Sequence, residues 1–164
     1  MVIIEGDPNA RFEKAIFNLL RSFNFIDLNV GLLISYISRN DGIDVAYKKL
    51  SKMTFDKKMK CLNSLLEKGE LHEHLREQGV SEFKSWFSQA HEARRLRNRY
   101  VHAIWRFNSS MIGRPVSISS PIWMKDVLEG STEVNMSLDE LEKKTLMVEK
   151  TFNDFCKLRK KYLF

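Results

Sequence analysis

Residues 81–105 read SEFKSWFSQAHEARRLRNRYVHAIW, and the reading of this stretch decides the fold. On a wheel at about 100° per residue, Phe83, Trp86, Phe87, Ala90, Ala93, Tyr100, Val101, Ile104 and Trp105 share one broad apolar arc. The arc predicts a long helix from Glu82 to about Trp105, capped by Ser81 and covered by other helices. Arg97 falls inside the arc. A guanidinium there has to be paired or open onto a cleft, because an isolated buried charge is very costly. His91, Arg95, Asn98 and His102 line the edge of the arc as a polar stripe, and Asn98 and His102, four apart, are surface neighbours. Arg97 and His102 stand about 140° apart around the axis, an angle that a long arginine stem can curl round.

Working outward, Asp7-Pro8 is a helix start, a capping carboxylate followed by proline at the first helical position. Helical spacing then runs through Phe12, Ile16, Leu19, Leu20, Phe23, Ile26, Val30, Leu33 and Ile37 to a turn at Asn40-Asp41-Gly42. A second helical region follows, with a new start capped by Thr54, and its period lasts until Gly69. The segment Glu70 to Gly79 reads as a polar connector. Beyond Trp105, Ser, Gly and Pro cluster from Asn108 to Glu133, with β-prone runs at Val116–Ser119 and Ile122–Trp123 that predict a small hairpin or an irregular lid. Ser137-Leu138-Asp139-Glu140 is a capping box that opens the final helix. The expected fold is all-α, one domain over residues 1–164, a bundle of four to five helices with a short insertion before the last.

With 43% hydrophobic and 29% charged residues the chain has the makeup of a folded globular protein, which excludes a disordered one. The formal charge of +6 makes its surface attractive to polyanions. Arg21, Asp27 and three asparagines interrupt the apolar stretch from Ala15 to Ile37, so it reads as a buried helix and no membrane association is expected. Val2-Ile3-Ile4 falls far short of a signal-peptide core, which makes the cytoplasm the expected compartment. Cys61 and Cys156 lie far apart in apolar helical patterns and read as two buried, reduced thiols. No Cys/His spacing suits zinc. His72 and His74 read as the surface of the connector, with nothing nearby to complete a metal site.

The chemistry concentrates after Glu92, where Arg94, Arg95, Arg97, Arg99 and Arg106 follow with no acidic residue among them. Guanidinium forks bind phosphate bidentately, and an imidazole titrates near neutral pH. Arg97-Asn98-Arg99-Tyr100-Val101-His102 resembles the Arg-x4–6-His signature of HEPN domains, in the form with a polar residue directly after the arginine. The layout is also similar to theirs: two helical elements, a long motif-bearing helix and a final helix.

The resemblance implies a metal-independent endoribonuclease that needs no cofactor and acts as a homodimer on RNA, with toxin or phage-defence roles among the family's habits. His102 would be general base or general acid, Arg97 would stabilise the transition state, and Asn98 would orient the phosphate or the imidazole. Arg94, Arg95, Arg99 and His91 would bind RNA. An antitoxin or a nucleotidyltransferase is the protein partner that the resemblance suggests. Two other readings stand beside it: a catalytically silent HEPN-like module binding a protein or nucleotide, and a helical nucleic-acid-binding protein without chemistry.

Overall fold

The computed structural model describes residues 7–37, 48, 50–67, 69–108, 112–119 and 133–163, with backbone alone for 69–74 and 133. Among these residues there are four helices, α1 (Pro8–Ile37), α2 (Phe55–Leu66), α3 (Gly69–Val101) and α4 (Leu138–Tyr162), and three strands, β1 (Ile104–Phe107), β2 (Val116–Ser119) and β3 (Glu133–Met136). The fold is predominantly helical, and no helix among the described residues is long and apolar enough to cross a membrane. The Asn40-Asp41-Gly42 turn and Ile122–Trp123 lie outside the described residues, as do the side chains of His72 and His74.

Three helix starts form as their local chemistry dictates. Asn9 N–H donates to Asp7 Oδ1 at 3.0 Å at the head of α1. Thr54 Oγ1 accepts from Lys57 N–H at the head of α2. At α4 the capping box closes in both directions: Ser137 N–H donates to Glu140 Oε2 at 2.7 Å, and Glu140 N–H to Ser137 Oγ at 3.1 Å.

Helix α3 departs from expectation at both ends. It begins at Gly69, so Glu70–Gly79 is helical and not a connector, and Ser81 lies within the helix and caps nothing. Two helical stretches join at a kink where Arg76 takes φ 55 and ψ 176. Leu75 and Val80 are buried on this added stretch, and that burial outweighs its polar composition. The helix also stops at Val101. Ile104 and Trp105 belong to a strand.

The chain divides into two compact units, Met1–Ser22 with Ala93–Lys150 and Phe23–Glu92 with Thr151–Phe164. In the first, Val116–Ser119 forms a strand as expected, the middle one of a three-stranded antiparallel sheet in the order β1-β2-β3. Trp105 pairs with Ile118 and Phe107 with Val116, and Val116 in turn faces Met136 across β3. Val116 and Ile118 are fully buried on the inner face, with Leu19, Tyr100 and Leu141 in the same core. Phe12 of α1 stacks on Phe107 at 5.4 Å and meets Trp105 edge-on at 5.6 Å. Thr145 Oγ1 donates to Ala15 O at 3.0 Å, and Arg11 forks onto Glu142 and Asp139 of α4.

The described part of the second unit is mainly helical. Trp86 packs on Phe155 with ring centroids 4.6 Å apart, and its indole N–H donates to Thr151 O at 2.8 Å. Gly79 allows close helix approach, since a Cβ there would meet the Tyr162 ring at 3.2 Å. The two thiols are free but not both buried: Cys61 is half-buried and Cys156 exposed, because the latter falls on the outer side of α4.

Candidate functional site

The Arg97–His102 segment occupies the last turn of α3 and the first residue beyond it, all within the first unit. His102 N–H still donates to Asn98 O at 3.4 Å, so the helical angular relations hold up to His102 although the regular helix has ended. The next strand begins two residues later.

The corner is held by Trp105. Its indole N–H donates to Tyr100 O at 2.8 Å, satisfying one of the carbonyls that a helix C-terminus leaves without a partner. The two rings meet edge-on at 4.8 Å, and Phe12 closes against the indole from α1. Tyr100 is buried, and its hydroxyl finds no hydrogen-bond partner among the described residues. Burial pushes this phenol up to about 12, with Arg99 pulling weakly the other way, so it stays protonated at neutral pH and cannot serve as a base.

Sequence reasoning gave Trp105 a place on a helical arc and did not identify it as the clamp on the site. An aromatic three residues beyond the motif was the available signal. Its role depends on Phe12, which is 93 positions away.

Each residue singled out from the sequence has a definite place. Arg97 is half-buried and its guanidinium NH1 donates to Asn98 Oδ1 at 3.1 Å, so the stem curls to the side on which Asn98 and His102 stand. His102 is exposed, and its imidazole makes no hydrogen bond, ion pair or ring contact among the described residues. Arg94 is half-buried, whereas Arg95 and Arg99 are exposed.

Arg106 projects outward from β1, alternating with the inward Trp105 and Phe107. Val101 and Ile104, which the wheel assigned to the covered arc, are 41% and 58% exposed on either side of His102. His91 belongs to the other unit. Its Nδ1 lies 3.7 Å from Asp56 Oδ1, and its ring stands edge-on to Phe55 at 6.4 Å.

Chemically, the segment offers a solvent-reachable imidazole, a guanidinium steered by a carboxamide, and outlying cationic side chains. No three His, Cys, Asp or Glu side chains among the described residues group in a way that could hold a metal ion. No protein-family model matches the chain, and no match was found among curated proteins or solved structures.

Proposed function

We propose that this protein is a HEPN-like, metal-independent endoribonuclease whose Arg97, Asn98 and His102 act on the RNA backbone. The observation that carries the reading is the exposed imidazole of His102, one turn beyond the carboxamide that steers Arg97. A general acid or base has to reach its substrate, and a charge-stabilising guanidinium has to be held before the charge develops.

His102 takes the proton of the ribose 2′-hydroxyl as that oxygen attacks the adjacent phosphorus. Arg97 stabilises the extra negative charge on the phosphoryl oxygens. The 5′-oxygen then leaves with a proton, and the products are a cyclic phosphate and a 5′-hydroxyl end. The nucleophile is internal to the substrate. One imidazole cannot easily be acid and base in the same step, so a second copy of the chain related by a two-fold axis supplies the other. Exposed Arg95 and Arg99 add phosphate contacts, in keeping with the formal charge of +6. A toxin or phage-defence role, with an antitoxin or a nucleotidyltransferase as partner, belongs to the same reading.

The test is cleavage of labelled RNA by the purified protein in EDTA. Arg97→Ala and His102→Ala are each expected to lower the rate by about 10²–10⁴-fold. Salt-dependent RNA binding without cleavage would replace this reading by a non-enzymatic nucleic-acid-binding protein. Stable co-purification with another protein and no cleavage would replace it by a silent binding module.

A further inference from the structure

The second unit holds a pocket of about 340 Å³ beside α1, at the small end of the range for small-molecule sites. Its walls include Leu28, Leu32 and Leu50, and Asp27 and Lys58 supply its charged groups. Lys58 is only 9% exposed, an unusual state for a lysine. Its Nζ donates to Asp27 Oδ1 at 2.8 Å. That bond uses one of three ammonium N–H groups and one of two carboxylate oxygens. The remaining donors and the free acceptor have no partner among the described residues.

A second observation concerns Gly31, in the interior of the 30-residue helix α1 and also on the pocket wall. Glycine there costs about 1 kcal/mol of helix propensity relative to alanine. No close approach among the described residues requires it: of these, a Cβ at this position would meet only Lys58 Nζ, at 4.0 Å, an ordinary contact. What a side chain at position 31 would take away is the space next to the ion pair.

We propose that this pocket binds a small uncharged molecule with an apolar body and a carboxamide edge. The ion pair is neutral as a unit, so an anionic ligand meets Asp27 and a cationic ligand meets Lys58, each without a counter-charge to spare. An amide presents an N–H donor beside a carbonyl acceptor, the complement of a carboxylate oxygen beside ammonium donors. The leucines cover the apolar body. The proposal is independent of the ribonuclease reading, and its test involves no RNA.

The experiment titrates the full chain with benzamide, methyl benzoate, benzoate and benzamidine, four compounds of one shape that differ in charge and donor pattern, observing both the ligand signals and the leucine methyl signals of the protein by NMR. Benzamide is expected to saturate, with a Kd of about millimolar, and to bind about tenfold tighter than each of the other three. It is also expected to shift the methyl signals of Leu28, Leu32 and Leu50. Asp27→Asn should bring benzamide and the ester to within about twofold of each other. Gly31→Leu fills the space and raises helix propensity, so it should fold and lose binding. No saturation by benzamide, equal binding of all four compounds, methyl shifts elsewhere, or full binding by Gly31→Leu would each overturn the proposal. The wild-type methyl shifts decide the matter even if a variant does not fold.

Discussion

The indole of Trp105 donates a hydrogen bond to the backbone carbonyl of Tyr100 at 2.8 Å, and this bond sets the angle at which the chain leaves α3 carrying His102. A helix C-terminus has free carbonyls that need partners, and here an aromatic donor from the following strand supplies one. The same indole packs against Phe12, which ties the corner to the head of α1.

Trp105→Phe keeps a ring and loses the donor. The expected loss is about 1 kcal/mol of stability, the usual net value of one hydrogen bond, read from the midpoint of urea unfolding. In a cleavage assay kcat should fall while KM holds, since the arginines proposed to contact phosphate are untouched. An unchanged midpoint would show that water replaces the indole at no cost.

Asn98 and His102 should separate stability from activity. His102 is exposed and its imidazole makes no hydrogen bond, ion pair or ring contact among the described residues, so His102→Ala should move unfolding by less than about 0.5 kcal/mol. Asn98→Ala removes the carboxamide oxygen that holds Arg97, and misplacing that guanidinium should lower kcat by up to about 10²-fold. Equal losses of stability and activity in both variants would argue that the segment is structural only.

Arg11 holds the Glu142 carboxylate below its ordinary value of 4.5, chiefly through their side-chain hydrogen bond. A depressed folded value means that the contribution is present above pH 4.5 and is lost as pH falls through the lower folded value. Arg11→Ala should therefore narrow the difference in melting temperature between neutral and acid solution. Parallel pH profiles for the two proteins would contradict this.

Ser137→Ala opens one half of the α4 capping box and leaves Glu140 N–H without its acceptor. The expected cost is about 1 kcal/mol, visible in urea or thermal unfolding, with faster amide exchange in the first turn of α4. Ser137→Thr, which keeps the hydroxyl, should recover most of it.

The parts of this fold legible in the sequence are those whose cause lies within a few residues. Asp7-Pro8, Thr54 and Ser137 with Glu140 mark helix starts because each side chain bonds a backbone N–H two or three positions away. The strand Val116–Ser119 was legible too, from β-branched residues between turn formers. The candidate site was found as a string of residue types, Arg97, Asn98 and His102, and the steering of Arg97 by its immediate neighbour is again local.

The tertiary structure alone decided where α3 begins and ends. Over the five residues Val101 to Trp105 a helical arc and an alternating strand place apolar residues equally well. The choice went to the strand because β1 pairs with β2 and Trp105 meets Phe12, partners that local periodicity cannot see. That choice is what leaves Val101 and Ile104 exposed and sets His102 just past the end of α3, open to solvent.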